Sequence, residues 1–300
     1  MKNSFQEILE SARNSGRTVV VAAAQDPAAL EAVVRARREG IADGILVGNR
    51  PEIEALLRHF EEDPNTWDIR HEEDPISAAQ KAIDAVKNQE AQILLKGKIP
   101  TSKLMKVVLK AENELRTGKV LSDVAVFEYQ DRLMFLSDGG VCAVPTKEQK
   151  VQITENALEV AWALGFDKPK VALMSATEQV TPGVPSTVEA REIALMDHWK
   201  KIDCLIDGPF ALDNALSAED AKMKGIDSPV AGSADILIVP NIEAGNLLGK
   251  GLVYFAGKKL IHVIKGAKIP ILICSRVDPP DAKLFSIALG VMVAKEKVKV

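Results

Sequence analysis

Short runs of apolar residues recur along the chain and alternate with amphipathic helical patterns. The runs are TVVVAAA (18–24), ADGILVG (42–48), AQILLKG (91–97), KVALMSA (170–176), IDCLIDG (202–208), ADILIVP (234–240) and IPILIC (269–274). Most are unbroken rather than alternating, which is typical of strands buried on both faces of a mainly parallel sheet. With helical segments between them, the runs predict a doubly wound α/β fold.

One segment departs from this rhythm and indicates a boundary between domains. Residues 120–140, VLSDVAVFEYQDRLMFLSDGG, contain two alternating runs joined by a polar turn, which predicts an antiparallel hairpin. Pro145 and Thr146 then begin a long helix. We therefore place a domain boundary near residue 144. A final amphipathic helix is predicted from about Asp281 to Lys295, with Leu284 and Ile287 on its buried face.

Composition and charge narrow the class of protein. The 300 residues are 47% hydrophobic, and 38 basic against 42 acidic residues give a net charge of −4. With no long basic block, general affinity for nucleic acid or for a membrane surface is not expected. The N-terminal stretch lacks an apolar signal core, and the three cysteines are widely spaced, so we expect a cytoplasmic protein with reduced thiols.

Several common catalytic motifs are absent from the sequence. The nearest approach to a P-loop, Gly251 to Lys258, has five rather than four residues between its two glycines and places Lys259 where a hydroxyl is needed. No G-x-G-x-x-G follows a strand, and no G-x-S-x-G occurs. The four histidines show no metal-ligand spacing, so we expect no metal site and no tightly bound cofactor.

Polar and glycine-rich residues follow several predicted strands, at the end where open α/β sheets bind their ligands. Candidate residues for binding a phosphate-containing substrate are Lys96, Lys98, Thr101, Ser137, Asp138, Asp207, Asn241, Gly245, Asn246 and Lys250. A helix that begins at Thr101 between lysines can receive a phosphate on its free N–H groups. Thr101 as a simple N-cap, and an ordinary turn at Gly245 and Asn246, are the plainer alternatives.

Five of these segments together carry a family likeness. In order they are KGKIPTSKLMK, SDGG, DGPFALDNA, VPNIEAGNLLGKGL and SRVDPPDAKLFSIAL, spread over residues 91–292. The set resembles the phosphate acetyl/butyryltransferase family, with the nearest likeness to phosphate butyryltransferases. The first 90 residues agree with that family only in their βα pattern.

The resemblance implies a particular architecture and assembly. It implies two doubly wound α/β domains of the isocitrate/isopropylmalate dehydrogenase-like kind, with a cleft between them and a homodimeric state. The final helix is expected to return to the first domain, which gives 1–144 with 275–300 as one domain and 145–274 as the other. The implied reaction converts acyl-CoA and orthophosphate to acyl phosphate and CoA, reversibly, with coenzyme A as substrate rather than cofactor.

The implied catalytic residues follow the last apolar run. Arg276 offers the fixed bidentate donor that suits a doubly charged phosphate, and the family places the Ser-Arg pair, here Ser275 and Arg276, in its active-site cleft. A CoA thiol of pKa about 8.5 needs a base at neutral pH, and the resemblance points to Asp281, with Asp278 as the alternative. The plainer interpretations are an Arg276–Asp278 salt bridge and an Asp281 N-cap.

Two other functions fit parts of the sequence. An acyl carrier protein:phosphate acyltransferase shares the fold but needs a basic docking surface, which this sequence does not show. A non-catalytic CoA- or anion-binding module does not require Ser275, Arg276 and an acidic residue together. The preferred acyl chain, whether acetyl, butyryl or branched, is left open.

Overall fold

The computed structural model describes residues 1–274 and 280–295. Among these residues the strands, in chain order, are β1 (Thr18–Ala22), β2 (Asp43–Gly48), β3 (Asp68–His71), β4 (Ile93–Lys96), β5 (Ser122–Tyr129), β6 (Arg132–Ser137), β7 (Lys170–Met174), β8 (Leu205–Phe210), β9 (Ile236–Ile238), β10 (Ile261–Lys265) and β11 (Ile271–Leu272). The α-helices are α1 (Phe5–Ala12), α2 (Pro27–Arg38), α3 (Arg50–His59), α4 (Pro75–Lys87), α5 (Thr101–Val108), α6 (Lys147–Ala163), α7 (Pro185–Ala194), α8 (Leu212–Leu216), α9 (Ala218–Met223), α10 (Ile242–Tyr254) and α11 (Pro280–Lys295). The alternation confirms the predicted α/β class.

The chain divides into two compact units. The first unit contains residues 5–118 and the described residues from Ile261 on, and the second contains residues 1–4 and 119–260. The divisions therefore fall at 118/119 and 260/261, rather than near 144 and 274 as the sequence suggested. Pairing explains the difference, because β6 of the hairpin joins β9 of the second unit, while β11 joins both β4 and β10 of the first.

In the first unit the strand order is β3-β2-β1-β4-β11-β10. The first five strands in this order run parallel, and β10 is antiparallel to β11. From β1 the chain moves through β2 to β3 on one side and then crosses back to β4 on the other side. The carboxyl ends of β1 and β4 therefore form the topological switch point, where open α/β sheets bind ligands.

In the second unit the order is β5-β6-β9-β7-β8. The predicted hairpin is present as β5 and β6, paired antiparallel from Ala125–Leu136 to Tyr129–Arg132. Strands β6, β9, β7 and β8 run parallel. The long helix α6 begins where the sequence indicated, with Thr146 as its N-cap and Gln149 completing a capping box.

Candidate functional site

The proposed catalytic pair lies in the part of the chain that the structure leaves undescribed. Ser275, Arg276 and the alternative base Asp278 all fall between the described ranges 1–274 and 280–295. Their assignment remains a prediction. The strand before them, β11, pairs in parallel with β4 through Ile271 and Leu272, so both strands end at the same edge of the first sheet.

Asp281, the proposed base, lies in the first turn of α11 and carries a partner that the sequence did not predict. Its Oδ1 accepts a hydrogen bond of 2.7 Å from Nη1 of Arg35 on α2. Because α11 begins at Pro280, Asp281 is the second residue of the helix, not its N-cap. The side chain is half exposed. This ion pair ties α11 to α2.

The loop between β4 and α5 closes on itself and on the loop after β1. Lys96 Nζ donates to the carbonyls of Gly97 and Ile99, at 3.2 Å each. Gly97 N donates to the Ala22 carbonyl at 2.9 Å, and a Cβ on Gly97 would collide with the Ala23 carbonyl. Only glycine permits this close approach.

Lys98 and Thr101 remain exposed at the same edge. Lys98 Nζ lies 3.5 Å from a carboxylate oxygen of Glu52 on α3. Thr101 is the first residue of α5 and makes no side-chain capping bond, because Pro100 occupies the N-cap. The N-cap interpretation of Thr101 is therefore wrong.

In the second unit, Asp138 organises the loop that follows β6. Its Oδ1 accepts from the amides of Gly140 (2.8 Å) and Val141 (3.0 Å), and its Oδ2 accepts from Cys142 (2.8 Å). Burial raises the pKa of Asp138 to about 6, with the nearby Asp123 adding to the rise and the three amides opposing it. Asp138 is 3% exposed, so it shapes the loop rather than facing solvent.

Ser137 takes a structural position beside it. The side chain is fully buried, and its Oγ donates to the Asp123 carbonyl at 2.7 Å. Because its hydroxyl is directed into the protein, Ser137 anchors the start of the loop after β6 to β5.

The start of α10 packs against this same loop. Asn241 is the N-cap, accepting from Ala244 N at 3.0 Å, and Asn246 Nδ2 donates to the Gly139 carbonyl at 3.3 Å. A Cβ on Gly245 would lie 2.7 Å from the Asp138 carbonyl oxygen, so glycine allows the helix and loop to touch. The structure thus brings Asp138 together with Asn241, Gly245 and Asn246, which follow it by about a hundred residues in sequence.

Two predicted binding residues lie outside this cluster of contacts. Lys250 is exposed on α10, one turn beyond Asn246. Asp207 lies within β8 rather than after it, and its Oδ1 accepts from Gly208 N at 2.8 Å and pairs with Arg191 at 3.2 Å. Because the apolar character of the run stops at Asp207, the sequence predicted that this residue follows the strand. In the structure, β8 continues through Pro209 to Phe210.

A cleft of about 610 Å³ opens at the switch point of the first unit, and sequence reasoning missed most of its residues. Its lining includes Gln25 and Asp26 after β1, Glu52, Ala55 and Leu56 on α3, and Lys98 after β4. Only Lys98 was singled out from the sequence. The other lining residues can be recognised only from the topology, because they follow strands that become neighbours only in the folded sheet.

Comparison with known proteins gives the chemistry to which these features belong. The family model described as phosphate acetyl/butaryl transferase matches residues 4–82 and 66–291. The chain belongs to this family. It is 43% identical to a phosphate acetyltransferase from Thermotoga maritima, over 97% of this chain and 99% of the relative. It is 41% identical to a phosphate butyryltransferase from Clostridium acetobutylicum, over 99% and 100%.

A solved structure agrees with the family assignment. A branched-chain phosphotransacylase from Enterococcus faecalis is 34% identical and superimposes with a TM-score of 0.82, covering 94% of this chain and 100% of that one. The members of the phosphate acetyl/butaryl transferase family named here are enzymes, and the resemblance predicted from five short segments is confirmed over nearly the whole chain. Within the described ranges, no helix is long and apolar enough to cross a bilayer and no metal-binding cluster of acidic, histidine or cysteine side chains occurs.

Proposed function

We propose that the chain catalyses the reversible conversion of a short-chain acyl-CoA and orthophosphate to acyl phosphate and CoA. The observation that carries the proposal is the full-length match to relatives named for phosphate acetyl and phosphate butyryl transfer. These names favour CoA thioesters over a carrier-protein substrate. The nearly equal identities, 43% and 41%, leave acetyl, butyryl and branched chains as alternatives.

The proposed chemistry needs no covalent intermediate on the protein. In the direction of acyl-CoA formation, the CoA sulfur attacks the carbonyl carbon of the acyl phosphate, the C–O bond to phosphate breaks, and the thiol proton passes to a base. Arg276 holds the phosphoryl oxygens, and the Ser275 hydroxyl or a neighbouring amide stabilises the tetrahedral oxyanion. Holding both substrates together supplies the rate enhancement that a covalent step would otherwise supply.

Asp281 is the proposed base, with Asp278 as the alternative. The ion pair with Arg35 bears on this choice, because a carboxylate held by a guanidinium must weaken that bond to accept a proton. The two assignments make different predictions. If Asp281 is the base, Asp281→Asn lowers kcat by about 100-fold or more and Asp278→Asn does not.

Substrate contacts in the second unit are proposed at the loop held by Asp138 and at the exposed face of α10. Asn246 and Lys250 lie one turn apart on that helix, and both are exposed. An amide and an ammonium at this spacing suit the phosphate groups of CoA. Asn241, Gly245 and Asp138 position them.

The deciding experiment follows thiol release from acetyl-, butyryl- and isobutyryl-CoA with and without orthophosphate. Release is expected to require phosphate, and Arg276→Ala is expected to lower kcat/KM by about 100-fold, because a charge-assisted hydrogen bond contributes roughly 1.5–3 kcal/mol. Arg58→Ala, which removes an exposed arginine of α3, is the matched control. Phosphate-independent release, or a stable acylated protein during turnover, would contradict the proposal.

We also propose that the protein is a homodimer that associates through α10. Leu247 and Tyr254 are 73% and 71% exposed, and Phe255, directly after the helix, is 95% exposed. Leu247 and Tyr254 are two turns apart and share one face of α10 with Lys250, so the proposed association surface adjoins the proposed substrate contact. Leu248 and Leu252 pack into the core of the second unit. Exposed apolar and aromatic residues concentrated on one helix mark an association surface.

A further inference from the structure

The switch-point cleft of the first unit has the features of a built binding site rather than of a surface irregularity. It lies where the loops after β1, β2 and β4 meet, at the carboxyl ends of three parallel strands. Its volume of about 610 Å³ falls within the range of small-molecule sites. Apolar side chains of α3, Ala55 and Leu56, form part of the wall.

Gln25 provides a polar group in this cleft that the protein itself does not satisfy. The side chain is only 7% exposed, and its Oε1 accepts from Asn49 N at 3.3 Å. That bond fixes the carboxamide, and Gly48 makes room for it, since a Cβ there would collide with Oε1. Among the described residues, Gln25 Nε2 has no acceptor. Its two N–H donors are therefore free to bind a carbonyl oxygen of a ligand.

Two carboxylates supply the complementary acceptors. Asp26 uses Oδ1 to cap α2, through Ala29 N at 3.0 Å, and Glu52 makes only a loose pair with Lys98, at 3.5 Å. One amine against two carboxylates leaves this wall with a net negative charge. A phosphate is repelled by such a wall, whereas an amide N–H or a hydroxyl is attracted to it.

We infer that this cleft binds the uncharged pantetheine arm of the CoA substrate. The amide carbonyls of that arm match the donors of Gln25, its amide N–H and hydroxyl groups match Asp26 and Glu52, and its methylenes match Ala55 and Leu56. The assignment rests on the proposed function, because that function makes CoA a substrate. The proposed subsite lies entirely within the first unit.

The sheet order places this subsite close to the carboxyl end of β11. Strand β4 lies between β1 and β11, and neighbouring strands are about 4.8 Å apart. The carboxyl end of β11 is therefore roughly 10 Å from that of β1. An extended arm lying across β4 carries its sulfur toward the carboxyl end of β11.

Binding of two fragments of CoA tests the inference without any turnover. Pantetheine and adenosine 3′,5′-bisphosphate are titrated separately by calorimetry into the wild type, Gln25→Glu, Glu52→Gln and Ala55→Trp. Gln25→Glu keeps the acceptor for Asn49 N but removes the donor, so pantetheine is expected to bind about three- to tenfold more weakly. Ala55→Trp fills the cleft from an exposed position and is expected to abolish pantetheine binding.

The nucleotide fragment and a neighbouring glutamate serve as controls. Adenosine 3′,5′-bisphosphate is expected to bind all variants as it binds the wild type. Glu54→Gln alters another glutamate of α3, one that pairs with Arg50 and Arg58 away from the cleft, and is expected to change neither affinity. In turnover, Gln25→Glu is expected to raise KM for acyl-CoA by the same factor, with KM for phosphate and kcat unchanged.

Two outcomes overturn the inference. One is unchanged pantetheine affinity in both Gln25→Glu and Ala55→Trp, and the other is a loss confined to the nucleotide fragment. The proposed function fails differently, because then the wild type converts no acyl-CoA under any condition. If the wild type is fully active but the cleft variants bind pantetheine as the wild type does, the subsite is wrong and the proposed function stands.

Discussion

The carboxylate of Asp138 holds the loop after β6 in place in the fold, whereas the sequence predicted that this residue binds substrate. Three backbone amides converge on its carboxylate, yet burial and the proximity of Asp123 raise its pKa to about 6, from an ordinary 3.8. The folded protein thus binds this proton more tightly than the unfolded chain does. The contribution of Asp138 to the free energy of unfolding must therefore fall as pH rises from about 4 to about 6, by up to about 3 kcal/mol.

Removing the carboxyl group of Asp138 removes this pH dependence. We expect the free energy of unfolding of the wild type, relative to that of Asp138→Asn, to decline between pH 4 and pH 6.5. Urea unfolding across this range measures the difference. Asp131→Asn, in the exposed turn between β5 and β6, is the control and should track the wild type. A wild-type minus Asp138→Asn difference that does not vary with pH contradicts the assigned pKa.

The bond between Arg35 and Asp281 also belongs to the residue scale. Both side chains are partly exposed, at 32% and 50%, so the pair is expected to contribute no more than about 1 kcal/mol to stability. A double-mutant cycle with Arg35→Met and Asp281→Asn measures this coupling by chemical unfolding. A coupling of several kcal/mol would show that the pair is more strongly buried in solution.

At the scale of elements, the contact between α10 and the loop after β6 depends on one position. Gly245→Ala places a Cβ 2.7 Å from the Asp138 carbonyl oxygen and 2.8 Å from Gly139 Cα, which are backbone atoms with little freedom to move. The loss is expected to exceed the gain of about 1 kcal/mol that alanine brings to a helix. Thermal unfolding should therefore show a lower Tm for Gly245→Ala.

Another glycine of α10 supplies a graded comparison. A Cβ at Gly249 meets a methyl group of Leu260 at 3.3 Å, which is a flexible side-chain atom rather than backbone. Gly249→Ala is expected to lower the Tm by less than Gly245→Ala does. The reverse order would show that the loop after β6 yields more readily than its close contacts indicate.

Elements with strong apolar runs could be predicted from sequence, and those without them could not. β1, β2 and β7 fall within the runs that predicted them, and the hairpin of β5 and β6 appears where its alternation indicated. β3 was missed because DIRH lies at one end of the sheet and is largely polar. β10, IHVIK, was missed because His262 and Lys265 interrupt its apolar character.

The site was predictable where one segment carries the signal and unpredictable where tertiary contacts do. Asn246 and Asp138 were singled out as candidates from local sequence, but the hydrogen bond from Asn246 to Gly139 beside Asp138 was not predicted. Arg35 gave no signal at all, since it is one of several arginines on α2 and only the packing of α11 selects it. Gln25 likewise becomes notable only once the sheet brings β1 and β4 together.

At the scale of the whole molecule, the proposed association through α10 can be tested directly. Phe255→Glu places a charge on the exposed apolar face and is expected to convert the dimer to a monomer, because burying an unpaired charge is costly. Light scattering after size-exclusion chromatography measures the mass. Met223→Glu alters another exposed apolar residue, 76% exposed at the end of α9, and should remain dimeric. A dimeric Phe255→Glu would place the interface elsewhere.

The interrupted path of the chain through the first unit affects how the protein is made. A ribosome releases β1 to β4 early, but β10, β11 and α11 emerge only after the whole of residues 119–260. Until then, the edge of β4 that pairs with β11 in the finished protein has no partner strand. The apolar side chains of the first unit that pack against α11 are also exposed. The first unit therefore cannot finish folding until its last strands are synthesised. A ribosome that stalls within residues 119–260 leaves a sheet with an unpaired, aggregation-prone edge.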